Sequence, residues 1–184
     1  GEHDRSRCFR SYFRTSLHRP SLVTLPTQQA RNIAISEHSK MWGEIALTGI
    51  EGPRSYSFAF APERGEAQRL EFHVRHVPGG LFTDWLFGQD RTGQELRLSG
   101  PFGQFRLKDS AAPMLCLAGG SGLAPIMAIL QQARAMGATL PVTLLNGART
   151  RQHLYCLEEI EALRAAWKAP FEFVPVLSEE DVDS

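Results

Sequence analysis

Gly119-Gly120-Ser121-Gly122-Leu123-Ala124-Pro125 stands between an apolar run at residues 114–118 and a segment at 126–136 with apolar residues at helical spacing. A glycine-rich turn acquires chemical meaning in that context, with a strand before it and a helix after it. Amides at a helix start lack intrahelical partners and sit at the positive end of the helix dipole. Glycines remove the side chains that would keep a pyrophosphate from reaching those amides. Pro125 suits a first helical turn, where its fixed φ fits and its missing amide costs nothing. The same turn also reads as a tight strand–helix connection with no ligand.

Arg54-Ser55-Tyr56-Ser57 is a second constellation. On a strand, Arg54 and Tyr56 project to one side. A guanidinium fork matches phosphate oxygens, and a tyrosine ring offers a flat stacking face. Where the strand bends, Ser57 adds a hydroxyl able to donate to a ring nitrogen. Pro78-Gly79-Gly80-Leu81-Phe82-Thr83 repeats the logic of amides at a helix start, with Thr83 as a hydroxyl donor or simply as a cap. Gly100-Pro101-Phe102-Gly103 reads as a turn needing unusual backbone angles at both glycines. Taken alone, the strand reads better as an ordinary edge strand with one exposed Arg. The loop at Gly79 and Gly80 reads equally well either way, and the last turn reads equally well as wholly structural.

The elements that must hold these residues fall into two halves. Residues 44–48 and 54–61 read as strands around a turn at Gly49 and Gly52. Residues 70–75 alternate apolar and polar as a half-buried strand does, a short helix follows at 82–87, and 96–99 alternates again. Short strands at this spacing predict a small antiparallel β-barrel or sandwich. After Asp109 the pattern changes. Continuous apolar strands at 114–118 and 142–145 read as buried on both faces. Helices at 126–136 and 153–167 and a third strand at 171–177 complete a partial α/β parallel-sheet domain. The expected division is 1–42 as an atypical N-terminal segment, 43–110 as the barrel and 111–184 as the parallel-sheet domain. Residues 22–25 and 32–35 are candidate barrel strands in the first segment.

The chain has 184 residues, 42% hydrophobic and 22% charged, which excludes disorder throughout. Twenty basic and twenty acidic residues leave no net charge, so no global field draws nucleic acid or an anionic membrane. The charge is uneven, with seven basic and three acidic residues among the first 42. That basic start reads as an atypical extension more readily than as a transit peptide, given Glu2 and Asp4. No apolar run approaches a bilayer span. Cys8, Cys116 and Cys156 show no metal-ligand spacing, and a reduced cytoplasmic protein follows most simply. Cys116 and Cys156 read as packing residues, His153 as an exposed helix start, and residues 179–184 as an acidic frayed end.

Together, and in this order, these motifs resemble the ferredoxin–NADP reductase superfamily, most nearly the reductase components of bacterial multicomponent oxygenases. The resemblance runs over residues 43–178. It implies an FAD-binding antiparallel barrel followed by a nicotinamide-binding α/β domain. It further implies that Arg54 holds the flavin pyrophosphate, Tyr56 stacks on the isoalloxazine and Ser57 hydrogen-bonds near its redox-active nitrogen. On this pair, Tyr56 and Ser57, the chemistry would turn. His73, Val74 and Arg75 match the strand along the flavin, and Gly79, Gly80, Leu81 and Thr83 match the loop at its phosphates. Gly119, Gly120, Gly122, Leu123, Ala124 and Pro125 match the coenzyme turn, and Asn146 with Arg149 the segment beside the adenine ribose. The implied activity carries electrons from NADH, with NADPH also open, through FAD to an iron–sulfur ferredoxin or oxygenase component.

The resemblance has gaps. The family's opening strands and their Pro-Gly-Gln entry are not evident, and Met41-Trp42-Gly43-Glu44 stands where that entry belongs. The later Cys-Gly-Pro motif and any iron–sulfur cysteine set are absent. Two rival readings therefore stand beside the reductase: an inert FAD- or nucleotide-binding remnant, and a nucleotide-binding domain without flavin. Arg149 and Arg151 suit a 2′-phosphate, and no acidic residue directly follows the second buried strand, so the coenzyme stays open.

Overall fold

The computed structural model describes residues 13–14, 42–59, 69–91 and 96–180. The candidate strands at 22–25 and 32–35, and the end of the one proposed at 54–61, lie outside these residues. In the first half, β1 (Phe13–Arg14) pairs antiparallel with β4 (Arg69–Leu70). Three further strands, β2 (Trp42–Ala46), β3 (Arg54–Ser57) and β5 (Arg97–Phe102), form an antiparallel sheet in the order β3-β2-β5. Helix α1 (Leu81–Gly88) lies between β4 and β5 in sequence.

The sheet crosses at Gly43, opposite Tyr56 in the β2–β3 register. A Cβ on Gly43 would stand 2.9 Å from Leu98 Cδ1 and 3.1 Å from the Ser99 carbonyl oxygen. Only a glycine lets the strands approach this closely. The same crossing extends β5 beyond the expected 96–99, through Gly100 at φ +135° to Phe102, whose ring meets Trp42 at 4.7 Å. Ile45, Phe58, Phe72, Val74, Phe82 and Leu86 bury together beneath this sheet.

The segment at 70–75 departs from the half-buried strand its alternation suggests. Regular pairing ends at Leu70, and Phe72 makes a single bridge to Phe58. Glu71, Phe72, His73 and Val74 are all buried. Phe72 and Val74 face the barrel core, while His73 is covered by Tyr155 and Cys156 from the second half. Of the polar positions, Arg75 meets water as the alternation expects, while His73 meets the other half instead.

In the second half, β6 (Met114–Gly119), β7 (Val142–Ala148) and β8 (Phe171–Leu177) form a parallel sheet in the order β6-β7-β8. Helices α2 (Leu123–Ala135) and α3 (Leu157–Ala165) connect them. Their apolar stripes bury Leu123, Met127, Leu130, Ile160 and Leu163 against Cys116, Val142 and Leu144. Alternation in β6 corrects the expectation of a strand buried on both faces. Cys116 is buried, but Leu115 and Leu117 are each 67% exposed, because the helices that pack on this sheet cover the Cys116 side. The helix expected at 153–167 also starts late, at Leu157. A single 3₁₀ turn spans Arg151–His153, and Cys156 then takes a left-handed conformation, φ 57°, just before α3. Residues 103–113, which carry no helix or strand, join the two halves. No helix among the described residues is long and apolar enough to cross a membrane.

Candidate functional site

In the first half, β3 places Arg54 and Tyr56 on one side, as its alternation requires. The Arg54 guanidinium folds onto its own turn. Nη1 donates to the carbonyls of Glu51, Gly52 and Pro53 at 3.2, 3.0 and 3.2 Å. Tyr56 is half-buried, its ring 5.5 Å from Phe82 and 6.5 Å from Phe72. Burial pushes its phenol above the ordinary value, and the Arg54 charge pulls it partway back. The Ser57 hydroxyl and the exposed Arg75 guanidinium have no hydrogen-bond partner among the described residues, so both are open to a ligand. Val74 is core.

The glycine loop before α1 is more committed than its sequence suggests. Thr83 is buried, and its hydroxyl donates to the Val77 carbonyl at 2.8 Å while accepting from the Val77 amide at 3.2 Å. Gly80 fits only as glycine, since a Cβ there would stand 2.7 Å from Thr83 Oγ1. The Gly79 amide donates to Asp84 Oδ2 at 2.9 Å, and His76 Nε2 meets Asp84 Oδ1 at 2.7 Å. Thr83 therefore does not cap α1, whose N-cap is Gly80 with no side-chain cap bond; its hydroxyl instead ties the Val77 backbone to the helix start. Gly79, at φ +79° with open space around it, and the exposed Leu81 form the accessible rim.

In the second half, parallel strands bring the ends of β6, β7 and β8 to one edge, with Gly119 opposite Gly147 and Ala148 opposite Leu177. Ligands of open α/β sheets collect at that carboxyl edge. The turn Gly120–Gly122 is a 3₁₀ helix leading into α2. No atom lies within 4 Å of a Cβ built on Gly119, Gly120 or Gly122, so the space above the turn is free for a ligand to approach backbone. Leu123 and Ala124 anchor the helix start in the core, with Pro125 after them. Asn146 is 2% exposed at the end of β7, and its Oδ1 has no hydrogen-bond partner. A buried orphan acceptor at this edge calls for a donor from outside the fold.

The two halves meet through residues that spacing alone does not single out. The Tyr155 hydroxyl donates to the Gly120 carbonyl at 3.0 Å, and its ring stands edge-on to His73 with centroids 5.3 Å apart. Cys156 Sγ lies 3.9 Å from His73 Nε2, and the same nitrogen stands 3.5 Å from Glu71 Oε1. Cys156, read as packing, therefore has a basic neighbour from the other half. The acidic end is likewise ordered at its start: Glu179 Oε1 accepts from Arg149 Nε at 2.6 Å, and Glu180 pairs with Arg151. His153 is half-buried, Nδ1 2.7 Å from Thr150 Oγ1, rather than an exposed helix start. Among the described residues no group of three or more His, Cys, Asp or Glu side chains could hold a metal.

Residues 22–107 match the oxidoreductase FAD-binding domain family, and residues 116–184 match the oxidoreductase NAD-binding domain family. The chain thus carries FAD-binding and NAD-binding oxidoreductase domains, and its structural neighbours are ferredoxin reductase-like flavin oxidoreductases. Among these flavin oxidoreductases it is 47% identical over 150 residues to the xylene/toluene monooxygenase electron transfer component XylA of Pseudomonas putida, across 82% of this chain and 42% of that one. It is 42% identical to the reductase component of the naphthalene 1,2-dioxygenase system of Pseudomonas putida, across 62% of this chain and 34% of that one. The crystal structure of the cytochrome P450 reductase GcoB from Amycolatopsis superposes with a TM-score of 0.69 at 36% identity, covering 78% of this chain and 44% of that one. The chain thus spans less than half the length of the curated relatives it matches.

FAD and a nicotinamide coenzyme are the groups such flavin oxidoreductases take. The residues present fit both. The half-buried Tyr56 ring and the unengaged Ser57 and Arg75 suit a flavin, while the open Gly119–Gly122 turn and the orphan Asn146 oxygen suit the coenzyme.

Proposed function

We propose that this chain is the flavin- and coenzyme-binding part of a reductase that takes electrons from NADH or NADPH and delivers them to an iron–sulfur ferredoxin or oxygenase component. The observation that carries this reading is the pairing of the Arg54-x-Tyr56-Ser57 strand with the Gly119–Gly122 turn, joined through Tyr155 and His73. Bound FAD supplies the redox chemistry, accepting a hydride and releasing electrons singly. The protein's own work is to bind, orient and exclude water.

In this reading Arg54 leaves its turn carbonyls to grip the flavin pyrophosphate, a charge-assisted contact stronger than the neutral bonds it gives up. Tyr56 would hold the flavin ring by stacking, and the Ser57 hydroxyl would donate a hydrogen bond to it. The backbone of His73, Val74 and Arg75 runs alongside, and Gly79, Gly80, Leu81 and Thr83 shape the phosphate loop. Gly119, Gly120 and Gly122 expose amides to the coenzyme pyrophosphate, with Leu123, Ala124 and Pro125 fixing the helix behind them. Asn146 and Arg149 lie toward the adenine ribose. The functional division follows residues 43–110 and 111–184, with the span 103–113, which carries no helix or strand, as the joint. The free Cys116 and Cys156 thiols favour the reducing cytoplasm.

The purified chain, incubated with FAD and desalted, should retain the flavin absorption bands, and reduced flavin should then pass electrons to an added iron–sulfur ferredoxin. A colourless protein after desalting overturns the flavin reading. Exposed Leu115 and Leu117 on the uncovered face of β6 favour a second reading, an FAD or nucleotide binder without turnover. Retained flavin that no coenzyme reduces would select it.

A further inference from the structure

Four charged side chains meet at the carboxyl edge of β7 and β8, beside the turn assigned to the coenzyme. Arg149 Nε donates to Glu179 Oε1 at 2.6 Å, and Arg151 Nε stands 3.8 Å from Glu180 Oε2. The carboxylates are held there by backbone. The Ser178 amide donates to the Ala148 carbonyl at 3.1 Å and the Glu179 amide to the Arg149 carbonyl at 2.9 Å. The Arg151 amide also donates to Glu180 Oε1 at 3.1 Å. Segment 178–180 is thereby laced to segment 148–151, and the two carboxylates stay beside the two guanidinium groups.

We infer that Glu179 and Glu180 are selectivity residues, which occupy Arg149 and Arg151 and so favour a coenzyme whose adenosine ribose bears no 2′-phosphate. The inference rests on the coenzyme reading of this edge given above. Arg149 and Arg151 are the cations that a 2′-phosphate would seek, through bidentate contacts. Paired as they are, two positive and two negative groups cancel, and a dianionic phosphate ester meets carboxylates where it needs open donors. Exposed ion pairs of this kind are individually weak, so the effect lies in cancelled local charge more than in pair strength. A 2′-hydroxyl suffers no such repulsion, and it can donate to a carboxylate at this edge.

The test uses adenosine 5′-monophosphate and its 2′-phosphorylated counterpart as probes, titrated calorimetrically into the chain without flavin. That readout depends on neither flavin content nor turnover. The chain should bind the unphosphorylated probe at least about tenfold more tightly, a difference of about 1.4 kcal/mol. Glu179→Gln with Glu180→Gln should narrow that ratio by about tenfold or reverse it, with an unchanged melting curve. Adding Arg149→Ala to the double variant should remove the gain for the phosphorylated probe. In FAD-loaded protein, the ratio of reduction rates by NADH and NADPH should move the same way. A parent chain that binds both probes alike, or a double variant with an unchanged ratio, overturns the inference alone. Binding of neither probe overturns the coenzyme reading together with it.

Discussion

The Tyr155 hydroxyl donates to the Gly120 carbonyl at 3.0 Å, tying the segment before α3 to the coenzyme turn. The same ring meets His73 edge-on, so one side chain touches both the proposed coenzyme cradle and the segment proposed to run along the flavin. Tyr155→Phe keeps the ring contact and removes only the hydrogen bond, worth about 0.5–1.5 kcal/mol. We expect the affinity for NADH to fall about twofold to tenfold while FAD content stays unchanged, as measured by coenzyme titration of flavin-loaded protein. Equal loss of both cofactors would mean that Tyr155 supports the fold as a whole.

Arg54 has two attachments to weigh. Its Nη1 shares two N–H groups among the carbonyls of residues 51–53, exposed and neutral on the acceptor side, so the set together is worth about 1 kcal/mol. A bidentate pyrophosphate contact is worth roughly 1.5–3 kcal/mol per bond. Arg54→Ala should therefore weaken FAD binding by at least about tenfold, and Arg54→Lys should recover only part, lacking the planar fork. The melting curve of the flavin-free chain should shift far less than the affinity. Unchanged affinity in the Ala variant would return Arg54 to a turn-stapling role.

Gly122 and Gly80 separate ligand space from structural space. Gly122 has φ −64°, and a Cβ built there faces open space, so a side chain at this position is compatible with the backbone. Gly122→Val should slow flavin reduction by NADH while leaving the melting curve nearly unchanged, because the new side chain fills only the space above the turn. A large drop in melting temperature would show the turn to be structural.

Gly80→Ala should instead lower stability by about 1–3 kcal/mol, since its Cβ would meet Thr83 Oγ1 at 2.7 Å and the Val77 oxygen at 2.9 Å. Gly79→Ala is strained by backbone alone, at φ +79°. Gly79→Asn should recover part of that loss because Asn tolerates the left-handed region, whereas Gly80→Asn should not. Denaturant midpoints of the four variants give the comparison.

Tyr56 carries a pH dependence. Burial raises its phenol above the ordinary value, so the fold favours the neutral form. The sign follows: its contribution is fully present below about pH 10 and is lost as pH rises through the raised value. Denaturant unfolding across that alkaline range should show a steeper loss for the parent than for Tyr56→Phe. Equal slopes would mean that the phenol is solvated in the folded protein.

The sequence made legible what depends on neighbours along the chain. The strand–glycine turn–helix order at 114–135, the strand at Arg54–Ser57 and the helix at Leu81–Gly88 follow from local period and punctuation. Missing from it was what depends on distant partners. Nothing near residue 73 signals that Tyr155 and Cys156 will cover it, and nothing near Glu179 signals Arg149. The same blindness made β6 read as wholly buried, because an apolar run does not show which face receives helices. Thr83 shows the same limit, since neither a ligand donor nor a helix cap describes its bond to the Val77 carbonyl across the glycine loop.

The most direct measurement is anaerobic single-turnover reduction of the FAD-loaded chain by NADH, followed at the blue flavin band. The bound flavin should bleach in one turnover and recover when an oxidised iron–sulfur ferredoxin is added. Flavin that stays bound and oxidised in the presence of both NADH and NADPH would contradict the electron-transfer account.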